Sequence, residues 1–499
     1  MISFKYFAYA LLALLALPLL TLSAYVFVGL FTSSENLSYF MSASFIQAML
    51  HSMILSSISS FSALVLGFIV SLGFYSLHTK RFRLFFILLL MTSFVLQPII
   101  LLSVFQEVGF FLNMEAFWQS MIVAICHLIP LSGLAFIYIL STLNGLAFQN
   151  SLSLAPFRHV VRFIIYPQLK QFIFALYFLL FILVFIDQAV PSILGYRTYT
   201  EDLLAQMTLM ENIEQIALSA LPSFLLVFVF IIIWYQLKQH ISYQEQIVSL
   251  KGTLHLPFKW LGFSILGFIS IYLLWMIFGL YFTFFNSDTY SLFEDNIEVI
   301  STSMGFALMT SFITLCVALV IHYVLEKYTH TLFQKLFFSI FLFYLLIPHS
   351  LISLVLLDIY QWIGYFSTFS DYMVFFIGYI FILLPIALFL IYILKILEKD
   401  DSFLLFLPVS TVNSLMKVIL PHMYLKWLLI FFILMIFSLN ELSVSILLIP
   451  PGFETMIVKI YNLLHYGDKP TIAFLSLVQL LFVILAFSLI GWISKKVYK

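Results

Sequence analysis

Two carboxylates stand inside apolar runs. Asp187 follows FALYFLLFILVFI and Glu441 follows FFILMIFSLN. A carboxylate within hydrocarbon is costly unless it faces water, the interior of a helix bundle or a partner group. Both lie 20 residues beyond a proline, Pro167 and Pro421, and 254 residues from each other. Twenty residues of helix rise about 30 Å, enough to cross a bilayer from one face to the other. The chemistry open to such a pair is to line or gate a path for a polar solute. The structural alternative is a carboxylate satisfied by a serine, a tyrosine or a backbone amide near the outer interface. His51, His127 and His349 are widely spaced and show no metal-ligand pattern, so they read as packing or interfacial groups. Cys126 and Cys316 fall in separate apolar runs, which gives neither a disulfide framework nor a metal cluster. The sequence has no GxxxxGK[ST] phosphate loop, GxSxG, HExxH or CxxC, so no catalytic residue is assigned.

The elements that carry these acids follow from composition. Of 499 residues, 64% are hydrophobic and 9% are charged. Soluble domains carry about 25% charged residues, too many for this chain to be one of them. The apolar residues form long separate runs without polar alternation, which predicts transmembrane helices rather than barrel strands. Spans are expected at 7–31, 52–77, 84–106, 118–143, 171–194 and 216–237. A second set is expected at 260–285, 302–325, 332–357, 372–395, 424–448 and 471–494. The first run follows Lys5 and is read as a retained span rather than a cleaved leader.

Charge sorting orients this map. With both termini in the cytoplasm, 19 of 22 basic residues fall in cytoplasmic segments; Arg197, Lys459 and Lys469 are the exceptions. Fifteen of 22 acidic residues fall in outer loops, five in cytoplasmic loops and two in spans. One misplaced span would invert every later loop and destroy the sorting. The net charge of zero gives no reason to expect a nucleic-acid partner.

The two sets of spans also resemble each other. A shift of 254 residues sets RFIIYPQL on MKVILPHM and FIDQAVPSILG on FSLNELSVSILL. A shift near 255 pairs LIPLSG with LLPIAL, and one near 250 pairs Pro98 with Pro348. The expected fold is an all-α membrane protein of about twelve helices, arranged as two tandem six-span repeats, 1–245 and 246–499. Each repeat has its longest cytoplasmic loop between its fourth and fifth spans, at 144–170 and 396–423. Repeats in the same membrane orientation place a pathway between two halves. Pro98, Pro130, Pro348 and Pro385 fall within expected spans and predict kinks there.

The loop ending in VILP, its following span, and SLNELSVSILL resemble the inner-membrane permeases of binding-protein-dependent ATP-binding-cassette importers. That family has a loop pattern of Glu-Ala-Ala, three residues, Gly, nine residues, Ile, one residue, Leu-Pro. In the second copy Val418, Leu420 and Pro421 match its tail, while Pro408 stands at the glycine and Ser402, Phe403 and Leu404 at the head. In the first copy Ile164 and Pro167 match, with Tyr166 at the leucine and Leu154 at the glycine. The tail is kept and the head is lost in both. The resemblance implies that loops 148–167 and 402–421 dock two copies of a cytoplasmic ATPase. ATP would then be bound by that partner, with no cofactor in this chain. Arg158 is a contact candidate there, and its alternative role is ordinary cytoplasmic positive charge. The fused form and IPPGFETMIVKIYNLLHYG resemble the ferric-iron branch, with thiamine, phosphonate and polyamine permeases as relatives. An extracytoplasmic solute-binding protein and an inner-membrane location are implied.

Two other function classes were weighed. An ion-gradient-driven secondary transporter of twelve spans would need functional charges or broken helices at mid-membrane in both halves. A lipid-modifying membrane enzyme would need convergent polar groups at one interface, and the sequence suggests none.

Overall fold

The computed structural model describes residues 2–32, 42–77, 79–95, 98–107, 114–141, 154, 156–160, 162–163, 166–209, 213–244, 259–285, 289–328, 331–363, 368–397 and 420–497. Every regular element among them is helical. The first half contributes α1 (Ile2–Thr32), α2 (Ala43–Ser76), α3 (Lys80–Val95), α4 (Pro98–Glu107), α5 (Ala116–Ser141) and the short α6 (Phe157–Val160). It continues with α7 (Tyr166–Phe185), α8 (Ala189–Leu194), α9 (Tyr199–Leu209), α10 (Ile213–Ser219) and α11 (Leu221–Gln244). The second half contributes α12 (Lys259–Phe285), α13 (Thr289–Tyr328), α14 (Thr331–Leu346), α15 (His349–Ile363) and α16 (Thr368–Leu397). It ends with α17 (Leu420–Leu439), α18 (Ser443–Leu448), α19 (Met456–Tyr466) and α20 (Lys469–Val497).

Six helices are long and apolar enough to cross a membrane, or up to eight if each of two bent pairs is one span. The chain is therefore an all-helical, membrane-embedded protein. Four expected spans fall instead on shorter apolar helical segments: Leu15–Gly29, Phe172–Phe185, Leu221–Ile233 and Lys426–Leu439.

The bent pairs change the expectation at two prolines. Spans 84–106 and 332–357 were expected as single kinked helices. Each is two helices: α3 and α4 meet at 84°, and α14 and α15 at 106°. A proline has no N–H to donate, and its ring pushes the preceding residue out of the helical region. Pro98 opens α4, where a missing N–H costs nothing, and Pro348 stands just before α15. Pro130 and Pro385 instead sit inside continuous α5 and α16.

The helices pack as two units, which divide the chain differently from a boundary at residue 245. One unit comprises residues 1–27, 288–466 and 478–499; the other comprises 28–287 and 467–477. Most of α1 thus packs with second-half helices. Its Leu15 carbonyl accepts from the Tyr344 hydroxyl at 2.7 Å, and its Tyr25 hydroxyl donates to the Asp358 carboxylate. Helix α12 packs with first-half helices. Gly262 there lies so close to α2 that an added Cβ would stand 2.8 Å from the Gly73 carbonyl oxygen.

In the unit holding α2, the tightest approach is α2 on α5. Ser132 donates to the Ala63 carbonyl at 2.6 Å, and Gly67 sits against Ser132 and Gly133. Apolar side chains gain little from leaving lipid, so membrane helices associate through close packing and hydrogen bonds. The small-residue spacing Ala63-xxx-Gly67 allows that approach.

The elements after Pro167 and Pro421 have equal lengths in the two halves. Helices α7 and α17 have 20 residues each, α8 and α18 have six, and α9 and α19 have 11. Each proline is the second residue of its helix, inside the first turn, where backbone donors have no helical acceptor. A serine one span earlier then receives the first backbone N–H of the 11-residue helix. Ser52 accepts from Tyr199 N at 2.7 Å, and Ser303 accepts from Met456 N at 2.8 Å. All four residues are buried. Ser52→Ala and Ser303→Ala should each strand a buried N–H and cost about 1–3 kcal/mol. Thermal unfolding of the two purified variants checks this, and comparable losses are expected.

Candidate functional site

Helix α7 ends where the chain turns after Phe185. The Asp187 N–H reaches the Val184 carbonyl at 3.2 Å, and at the same place in the other half Glu441 N–H reaches Ser438 at 3.4 Å. Each acid then uses its side chain on the helix that follows. Asp187 Oδ1 accepts from Ala189 N at 3.1 Å, and Glu441 Oε1 accepts from Val444 N at 3.3 Å. A carboxylate at the start of a helix satisfies an orphan donor and meets the positive end of the helix dipole. The backbone carbonyls at these turns are also occupied. Thr200 donates to the Asp187 carbonyl at 2.7 Å, while Tyr379 at 3.1 Å and Ser445 at 2.9 Å donate to that of Glu441.

The two acids differ in one respect that the sequence did not reveal. His349 Nδ1 lies 3.1 Å from Glu441 Oε2, with side chains 23% and 12% exposed. The expectation that His349 is a packing or interfacial group is therefore corrected: it is the side-chain partner of Glu441. The 106° turn before α15 brings together residues 92 positions apart. The counterpart of His349, counted from the matching prolines, is Ile99, a buried residue with no polar side chain. His51 and His127 have other surroundings. His51 Nδ1 pairs with the Arg197 carbonyl at 3.0 Å and its ring stacks on Tyr196; the His127 ring stacks on Phe94. Among the described residues, no group of three or more His, Cys, Asp or Glu could hold a metal.

Two of the three basic residues expected outside are paired with acids of their own segment. Arg197 is salt-bridged to Asp202 at 2.5 Å, and Lys459 lies 3.9 Å from Glu454. Asp202 is nearly buried and also accepts from Gln206 at 3.1 Å. Burial, then the neighbouring Asp202 charge, push the Glu201 carboxyl above its ordinary range, and Arg197 pulls it back. Arg197→Ala would leave Asp202 short of its cation. The half-exposed arginine limits the cost to about 1 kcal/mol in thermal unfolding.

The loops expected to dock an ATPase are described only in part. Ile164, Pro408 and Val418 lie outside the described residues, as do the side chains of Arg158, Leu420 and Pro421. In the first loop Leu154 is 86% exposed, and Phe163 and Tyr166 are also exposed. Pro167 is exposed too. The Arg162 guanidinium lies 5.5 Å from the Phe163 ring, while Val160 is buried. Comparison with protein-family models, with curated proteins and with solved structures finds no match.

Proposed function

We propose that the chain is the membrane-spanning permease of an ATP-driven, binding-protein-dependent importer, with ferric iron as the first substrate to test. The observation that carries this reading is the ordered set after each loop proline: helices of 20, six and 11 residues with a carboxylate at the first turn between them. Equal sets in the two halves support tandem repeats. The six long helices, the two bent pairs and the four shorter apolar segments together support twelve spans. The sorting of 19 of 22 basic residues supports cytoplasmic termini in an inner membrane. On this reading ATP is hydrolysed by two copies of a separate cytoplasmic ATPase, and this chain supplies no catalytic residue or cofactor. Exposed Leu154, Phe163 and Tyr166 offer an apolar surface where that partner would dock. A solute-binding protein would deliver substrate at the outer face, and ATP-driven closure would bias the halves between inward-open and outward-open states.

A second reading, an ion-gradient-driven transporter, draws support from the His349–Glu441 pair, since two titratable groups in contact within a membrane suit proton coupling. Co-purification separates the two readings. The chain is co-expressed with an ATPase encoded beside it and captured through a tag on the ATPase. The importer predicts that the permease is retained and that disrupting 148–167 and 402–421 releases it. Failure of the intact proteins to associate in several mild detergents would overturn this reading in favour of ion coupling.

A further inference from the structure

We infer that His349 and Glu441 form a proton-responsive clasp that ties the broken span α14–α15 to the α17–α18 turn in the second half of the chain. This inference does not rest on the importer reading.

The geometry carries it. Glu441 divides its two oxygens between two helices: Oε1 takes the Val444 N–H at the start of α18, and Oε2 faces His349 Nδ1 at the first residue of α15. The imidazole is held at its own end, because Ser353 donates to the His349 carbonyl at 3.0 Å. Helix α16 closes the group: Tyr379 shares a 2.6 Å hydrogen bond with Ser445 and also donates to the Glu441 carbonyl. The titratable groups brought here are thus His349, Glu441 and, from α16, the Tyr379 phenol. The next acid on α15, Asp358, lies nine residues on, about 13 Å along the helix, and is held by Tyr25 from α1.

Protonation decides how strongly the two elements are joined. With His349 as imidazolium and Glu441 ionised, the contact is a charge-assisted ion pair. With His349 neutral it is a single hydrogen bond, and with Glu441 protonated the ionic attraction is also lost. A histidine is the side chain that changes charge nearest neutrality, so the clasp tightens on mild acidification and loosens as pH rises. The residual 23% exposure of the His349 side chain leaves the imidazole within reach of water and protons. The first half cannot do the same, because Ile99 stands where His349 does and the Asp187 carboxylate caps α8 through Ala189. The switch is one-sided.

The test is the pH dependence of thermal unfolding of the purified full chain in detergent. It compares wild type, His349→Gln, Glu441→Gln, the double variant and His349→Lys. From about pH 6 to about pH 8.5 the wild type should lose about 2 °C or more of Tm through this pair. Both single Gln variants and the double variant should show the same flattened profile, because either change removes the ion pair. His349→Lys keeps a cation across the range and should be flat at the higher level. If Glu441→Gln fails to fold, the two His349 variants still decide. A wild-type slope surviving in His349→Gln and His349→Lys would overturn the clasp. So would single-variant slope changes that add independently in the double variant.

Discussion

Gly67→Val should destabilise the folded chain by about 3 kcal/mol or more, the upper range for overpacking a close helix contact. An added Cβ at position 67 would stand 1.8 Å from Ser132 Oγ, 2.7 Å from Ser132 Cβ and 2.8 Å from the Gly133 backbone nitrogen. The serine hydroxyl can rotate away, but the backbone nitrogen moves only if α5 moves. Separating α2 from α5 stretches the 2.6 Å bond from Ser132 to the Ala63 carbonyl, which has no second water-filled side to turn to. Ser132→Gly should restore only part of the loss, since the backbone contact remains. The matched control is Gly305→Ala in α13, where an added Cβ meets nothing within 4 Å and helix propensity rises by about 1 kcal/mol. Thermal unfolding and the yield of monodisperse protein in detergent measure both. A Gly67→Val chain as stable as wild type would mean that α2 and α5 are not in contact here.

The positions of the apolar helices were legible because a bilayer demands long apolar runs, and runs such as FALYFLLFILVFI have no other use. The matched ends of α7 and α17 were legible too, because a proline and an acid at a fixed spacing stand out in apolar sequence. The breaks were not. LQPII and LIPHS look no different from LIPLSG or LLPIAL, and each proline removes the same N–H. Whether the helix continues depends on how the surroundings accept the freed carbonyls. That is decided by helices distant in sequence, so Pro130 stays inside α5 while Pro348 ends α14. The same limit hid the partner of Glu441. No local spacing links residues 349 and 441, and their meeting requires α15 to turn back by 106°. The packing of residues 1–27 with the second half was likewise hidden, because apolar helices choose neighbours by shape. Tyr25 and Asp358 were visible only as unrelated polar residues.

Neutralising the two acids should have unequal consequences. Asp187→Asn keeps an oxygen that can take the Ala189 N–H at the start of α8, so the cap survives and only the charge is lost. Glu441→Gln keeps the same kind of cap for Val444 but also removes the ionic partner of His349 and loosens α15 from α18. Alanine at either position removes the cap as well, at about 1 kcal/mol each. The expected order of damage to uptake is therefore Glu441→Ala, then Glu441→Gln, then Asp187→Asn. Glu441→Gln should lower uptake about tenfold, which corresponds to about 1.4 kcal/mol in the transport barrier. Uptake of labelled ferric iron by cells, normalised to permease in the membrane, is compared with Tm of each purified variant. If uptake falls with Tm in one common trend, the acids act only by holding α8 and α18 in place. A Glu441→Gln variant that keeps its Tm yet loses uptake places the carboxylate on the solute path. Full uptake in both amide variants would remove the path reading from both residues.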